Sequence, residues 1–494
     1  MEENRNKERF LTIFSVIGII SFVLIIGVFL LKSGKIMGYD GFYHIKKAFL
    51  MRTEGFKAFN NNEFAFSVLA NNPTDHEMLL HLIQAPFTLI KNLATALNLY
   101  VIFSYAALGV ATFLFLKSQK IKFSLFWTLI MLVGSKDLLF RASLGRAPVL
   151  SIALWLLLLY LIINKKYLWQ FVFAFFYLWF YGDFLFIGMI AVLYSLAVLV
   201  TERKLEWKNI LMVVGGLLAG LIVNPFFPKN IQFYIWHFSI PYATIPKGGE
   251  WGPINLPNLF RDSFLPLVSA LFGTLALFLT RKQKPLSLFL FMMALAFFLL
   301  TNRSQRFVEI LIPMAVLFGA SSLSDFLKES ELDKFLEEKV MLRRFVAICA
   351  LFFVIALGWQ NLNGEKDFIE NERNVARYKG GAEWLVQNTP KDSVVFHADW
   401  DDFPELYFWD SHNRYVVGLD PTFLYFQDKK LYQEFVSITI GNTALPSSQI
   451  KNDFNSKYIF TDTGHNELIS QISKDEHIKL RYSDSESLVY EITD

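Results

Sequence analysis

The chain has 494 residues, of which 54% are hydrophobic and 18% charged, against roughly 25% charged in ordinary soluble domains. Its net charge of +3 is small for so long a chain, and no basic tract is interleaved with aromatics, which excludes a nucleic-acid partner recognised by charge. The single cysteine, Cys349, rules out a disulfide within the chain, and with 52 Phe residues the composition is that of an integral membrane protein.

The first apolar run, from about Leu11 to Leu31, is long enough to cross a bilayer and is followed by no small-x-small cleavage site, so it is expected to stay as an anchor. Arg5, Lys7 and Arg9 ahead of it put the N-terminus in the cytoplasm and the following loop outside. That loop opens on Gly38-Tyr39-Asp40-Gly41-Phe42-Tyr43-His44-Ile45-Lys46. A carboxylate among aromatics at the edge of an apolar span is costly to keep charged, and a metal ion or a substrate proton would compensate it. The short apolar stretch from Met78 to Ile90 is broken by His81, Gln84 and Pro86 and reads as an interfacial helix. Counting it as a crossing would invert every later cation cluster. Asp75, His76 and His81 invite a metal reading but fit no closed zinc spacing, and capping that helix is the plainer role.

Further spans are predicted over residues 98–116, 123–140, 147–163, 167–181, 184–200, 209–223, 264–280, 286–300, 307–323 and 345–359. Between them the cations cluster at Lys117, Lys120 and Lys122, at Lys165 and Lys166, at Arg203, Lys204 and Lys208, at Arg281, Lys282 and Lys284, and at Lys328, Lys334, Lys339, Arg343 and Arg344. Each cluster follows an even number of crossings, so about eleven helices are expected and everything beyond Trp359 falls outside. After residue 361 the pattern changes. A helix through Ala382–Gln387 stops at Asn388-Thr389-Pro390, and β-type runs follow at 393–396, 415–417 and 457–460. The fold class expected is therefore mostly α: a polytopic membrane domain over 1–360, with outer loops at 33–97, 136–146 and 224–263, and an extracytoplasmic α/β domain over 361–494.

The outer segments carry Asp40, Asp75-His76-Glu77, Asp137 with Arg141 and Arg146, Asp183, Glu250, Arg303 and Arg306, while the inner loops carry little but Lys, Arg and a few Glu. Chemistry is expected outside. No glycine-rich phosphate loop, nucleophile elbow or paired-cysteine motif occurs, which argues against a user of cytoplasmic nucleotides. Arginine suits bidentate phosphate contact, so Arg141, Arg146, Arg303 and Arg306 are candidates to hold the phosphate of a lipid-linked donor.

Three short segments resemble those of GT-C glycosyltransferases, above all the catalytic subunits of oligosaccharyltransferases. The Asp40 segment resembles their Asp-x-aromatic-Tyr-His-x-Arg stretch, with Lys46 in place of Arg. Lys247-Gly248-Gly249-Glu250-Trp251-Gly252-Pro253 is similar in chain order to their Ser-Val-Ser-Glu loop. His397-Ala398-Asp399-Trp400-Asp401-Asp402-Phe403 resembles their Trp-Trp-Asp-Tyr-Gly motif, with Trp400 and Asp401 matching. Their second acidic loop, with an Asp-x-Asp pair, is not matched: here Arg146 is followed by Ala147-Pro148-Val149, and Asp137 is the only nearby acid.

The resemblance implies transfer of a sugar or glycan from a polyprenyl-phosphate or pyrophosphate carrier to an extracytoplasmic acceptor in a bacterial or archaeal plasma membrane. It implies Asp40 and Glu250 as catalytic residues and, with Asp137, as ligands of a divalent Mg or Mn ion, and Tyr43, His44, Trp400 and Asp401 on the acceptor side. Plainer roles stand beside these: Asp40 solvating its loop, His44 bonding within it, Glu250 on a surface turn, and Arg306 paired with Glu309 three residues on. Two other functions remain open, an inactive scaffold or assembly protein of glycan export and an oligosaccharyltransferase acting on protein asparagine. A transporter would show an internal repeat of interrupted helices, and none is visible.

Overall fold

The structure, a computed structural model, describes residues 2–60, 63–239, 249–330 and 338–493. Lys247, Gly248 and Lys334, and the side chain of Arg5, lie outside the described residues. Five described helices are long and apolar enough to cross a membrane: Asn6–Ser33, Leu93–Ser118, Leu185–Glu202, Gln305–Glu329 and Val340–Asn371. Two bent pairs, Lys136–Ser143 with Pro148–Ile163 at 105° and Leu256–Asp262 with Phe264–Leu279 at 97°, raise the number to seven if each pair is one span. The expected eleven is therefore not reached by length and composition. Ser124–Val133, Tyr167–Phe180, Trp207–Ile222 and Pro285–Thr301 fall in the 10–17-residue range, below the roughly 20 residues of a full crossing. The last span is longer than expected and runs on to Asn371.

Two compact units emerge from the chain. The first comprises 1–33, 98–220 and 247–371; the second comprises 34–97, 221–246 and 372–494.

In the first unit the Gln305–Glu329 span is the core, 89% buried over its most apolar window, and it packs against the Phe264–Leu279 and Pro285–Thr301 helices. Small residues allow that approach. A Cβ on Gly273 would lie 2.9 Å from the Gly319 Cα, and one on Gly319 would lie 2.6 Å from the Ser269 carbonyl oxygen. By contrast the Asn6–Ser33 and Val340–Asn371 spans are only 22% and 6% buried. They expose Ile25, Phe352 and other large apolar side chains, a surface suited to lipid and unstable in water.

The second unit is built on a five-stranded sheet of order β2-β1-β3-β5-β4, with β1 at Val394–His397, β2 at Arg414–Tyr415, β3 at Tyr458–Asp462, β4 at Ile478–Ser483 and β5 at Ser487–Ile492. β1 is parallel to β2 and β3, and the hairpin of β4 and β5 closes the other edge antiparallel to β3. Phe396, Val416, Ile459, Leu468 and Tyr490 belong to its apolar core. The segment around Phe64 extends the sheet at β2, with Ala65 N–H donating to the Tyr415 carbonyl at 2.7 Å. Residues 34–97, read from sequence as a loop of the membrane domain, are thus part of this unit. The Asp40 segment is no loop either: it opens the Asp40–Glu54 helix. Phe42 and Tyr43 of that helix pack on Phe408 and on Phe403 and Tyr407, in the Phe403–Trp409 helix that follows the third motif.

Candidate functional site

Three arginines and two glutamates converge in the first unit. Arg141 comes from the Lys136–Ser143 helix, which starts where Ser135 Oγ accepts the Leu138 N–H. Arg146 follows Gly145, whose φ of +70° suits the sharp turn into the Pro148–Ile163 helix. Glu250 sits in the 3₁₀ turn Gly249–Trp251, and Arg306 in the 3₁₀ turn Gln305–Phe307. The two turns are tied together: Ser304 Oγ donates to the Glu250 carbonyl at 3.0 Å, and Gln305 N–H donates to the Gly252 carbonyl at 2.8 Å. Arg141 Nη1 donates to Glu250 Oε2 at 2.6 Å, and Arg146 Nη1 stands 3.6 Å from the same oxygen. Burial alone would raise the Glu250 carboxyl, but Arg146, Arg306 and Arg141 hold it down to about 2. The Arg306 guanidinium lies 4.8 Å from the centre of the Trp251 ring. Glu309 does not make the expected close pair with Arg306. Its Oε2 is 3.6 Å from Arg146 Nη2, because Arg306 belongs to the 3₁₀ turn and the α-helix begins only at Val308.

The sequence therefore named four of these five residues, and Glu309 only as a partner of Arg306. Arg303, grouped with them on spacing, is exposed. Three guanidinium groups around Glu250 make it a poor cation ligand, and Asp137 accepts from Ser263 Oγ at 2.8 Å. Among the described residues no group of three potential metal donors includes Asp40, Glu250 or Asp137. Within the first unit Glu250 and Asp137 thus form no metal-donor group among the described residues, and no step below is routed through a metal.

In the second unit the first and third motifs meet. Asp40 occupies the first turn of its helix, where the helix dipole favours an acid. The ring of Tyr39 beside it lies under the Arg373 guanidinium, at 4.8 Å. Arg373 Nη1 is 3.9 Å and Arg377 Nη1 3.0 Å from Glu405 Oε2, one turn into the helix after Asp402. Arg377 Nη2 also bonds Asp462 Oδ2 at 3.1 Å, and Tyr378 Oη donates to Asp402 Oδ1 at 2.7 Å. Burial pushes the Asp402 carboxyl up to about 8 and Glu405 to about 7, while burial and Asp399 push Asp401 to about 6. His465 stands 3.9 Å from Asp399 and 2.7 Å from Asp462, and these two carboxylates raise its imidazole to about 10. Sequence reading missed Arg377, Tyr378, Asp462 and His465, which come from two stretches of chain, 377–378 and 462–465, with no motif among them. Tyr43 and His44, assigned to an acceptor, are buried, and Trp400 is partly buried against the apolar core; of the four only Asp401 sits in the polar network.

No protein-family model and no curated protein sequence matches this chain. Solved structures do. The oligosaccharyltransferase of Archaeoglobus fulgidus, solved tethered to an acceptor peptide containing the NVT sequon, aligns over 96% of this chain and 74% of its own, with a TM-score of 0.63 and 12% identity. ArnT of Cupriavidus metallidurans, solved bound to undecaprenyl phosphate, aligns over 96% of this chain and 97% of its own, with a TM-score of 0.60 and 13% identity; its apo state gives 0.59 and 12%. At 12–13% identity the likeness is one of fold, and the chain has the GT-C fold that these structures share.

Proposed function

We propose that the protein is a membrane glycosyltransferase that moves a sugar from a polyprenyl-phosphate or pyrophosphate carrier to an acceptor outside the cytoplasm. The observation that carries this reading is the convergence of Arg141, Arg146 and Arg306 on Glu250. Three guanidinium groups brought together beside Glu250, Glu309 and Asp183 offer the planar bidentate donors that a phosphate accepts. Undecaprenyl phosphate on the structurally similar ArnT agrees with a donor of this kind.

In the reaction an acceptor oxygen attacks the anomeric carbon while the bond from that carbon to the carrier phosphate breaks. The electron pair stays on the phosphate, where preorganised guanidinium groups stabilise the developing charge. The acceptor's proton passes to a carboxylate, a role that the motif resemblance gives to Asp40. Glu250 positions the guanidinium groups, and the motif resemblance gives Trp400 and Asp401 to acceptor binding.

Single replacement of Arg141, Arg146 or Arg306 by Ala is expected to lower transfer by about 2–4 kcal/mol of transition-state stabilisation, with Lys a poor substitute because it lacks the planar fork. Asp40→Ala is expected to abolish transfer without unfolding the protein. Turnover of a radiolabelled polyprenyl-linked sugar and direct binding of undecaprenyl phosphate are measured side by side. Arginine variants near wild type in both would discard the phosphate site, whereas carrier binding without any turnover would mark a scaffold.

A further inference from the structure

Three buried side chains of the second unit, His44, Glu77 and His81, bring one donor atom each to within 4.8 Å of one another. None of them is used by the phosphate site. His44 lies in the Asp40–Glu54 helix, Glu77 caps the start of the Met78–Gln84 helix, and His81 lies within it. The i, i+4 spacing of Glu77 and His81 puts both on one face.

Proton counting shows what the cluster lacks. His81 Nδ1 is 2.8 Å from Asp75 Oδ2. An ionised carboxylate only accepts, so the proton sits on Nδ1 and His81 Nε2 presents a lone pair. That lone pair is 2.9 Å from His44 Nδ1, while His44 Nε2 is 3.5 Å from Glu77 Oε2. A neutral imidazole carries one N–H, so His44 must turn a lone pair either to the lone pair of His81 or to the Glu77 carboxylate. The cluster calls for one further positive species, a second proton on one of the two imidazoles or a metal cation.

The donor set favours the metal. Two imidazole nitrogens and one glutamate oxygen are a recurrent three-residue zinc set. Asp75 on the far nitrogen of His81 is the outer-shell carboxylate that fixes the tautomer of a ligating histidine. Asp75 and Glu77 together also bring two buried negative charges for a dication to balance. We propose that His44, Glu77 and His81 bind one divalent transition-metal ion of the zinc class, with Asp75 as positioning residue, and that the ion clamps the Asp40–Glu54 helix to the Met78–Gln84 helix. Nitrogen donors disfavour Mg and Mn. Because His44 is one helical turn beyond Asp40, the ion also fixes the helix that presents Asp40.

The test uses tag-free full-length protein in detergent, stripped with a chelator, reloaded with Zn(II) alone and dialysed free of excess. The expected result is about one zinc per chain, a higher thermal midpoint with Zn(II) and no shift with Mg(II). Glu77→Gln and His81→Ala should fall to background zinc content, and Asp75→Asn should weaken zinc binding about 10- to 100-fold. If those variants fail to fold, Co(II) loaded into the wild-type chain should show ligand-field absorption bands that Zn(II) competes away. Background zinc in the reloaded wild-type protein, full zinc retention by folded Glu77→Gln and His81→Ala, or cobalt without such bands would overturn the proposal and leave an extra proton on the histidine pair. None of these readouts involves sugar transfer, so failure here leaves the phosphate site standing.

Discussion

Single residues set the charge balance of both clusters. Glu250 keeps its negative charge because three arginines surround it, whereas Asp402 and Glu405 hold protons to about 8 and about 7 because they are buried. His465 gives the clearest pH prediction. Its folded pKa of about 10 lies above the ordinary 6.5, so the folded state binds more protons across that window and stability falls as pH rises through it. The stabilisation is complete below about 6.5 and gone above about 10. Asp402 and Glu405 are also raised, so they slope the same way, but only up to about 8. The decline between about pH 8 and pH 10 belongs mainly to His465, and His465→Gln should flatten it. Thermal midpoints taken across this range decide the point, and an unchanged slope in the variant would sink it.

At the scale of elements, close helix packing in the first unit depends on the absence of side chains. Gly319 faces backbone, not the movable end of a side chain: an added Cβ would stand 2.6 Å from the Ser269 carbonyl oxygen and 2.8 Å from its carbon. Gly319→Ala is therefore expected to force the Phe264–Leu279 and Gln305–Glu329 helices apart and to destabilise by about 1–3 kcal/mol, the usual penalty of overpacking. Gly18→Ala, with nothing within 4 Å of the added atom on the lipid-exposed first helix, is the control. Thermal shift in detergent should separate the two, and equal midpoints would show that the helices yield without strain. The same displacement would move the Gln305–Phe307 turn at the head of the core helix, so carrier binding should weaken along with stability.

For the whole molecule, the cation distribution predicts sidedness. Lys282 belongs to a cluster assigned to the cytoplasm, and Ser473 to the chain beyond the last predicted span. In protein with Cys349 replaced, cysteines introduced at 282 and 473 should react with an impermeant maleimide from opposite sides of intact cells or inverted vesicles. Labelling of both from the cytoplasmic side would put the third motif on the wrong face for a carrier sugar displayed outside.

Sequence alone determined the membrane class, the positions of the long apolar helices and the strands at 393–396 and 457–460, because apolar periodicity and β-branched runs are local signals. It also singled out Arg141, Arg146, Glu250 and Arg306 as residue types suited to an anionic donor. Tertiary structure decided the rest. Four apolar runs are shorter as helices than a full crossing, and two further spans are bent pairs of helices, at 105° and 97°, an angle that hydropathy does not register. Glu309 turned toward Arg146 instead of Arg306 because a 3₁₀ turn shifts the side-chain phase by a fraction of a turn that spacing rules do not register. His44 met Glu77 and His81 across more than thirty residues of chain, and Arg377 met Asp462 across 85. Contacts of that range depend on how separate elements pack, and no local pattern of residues encodes them.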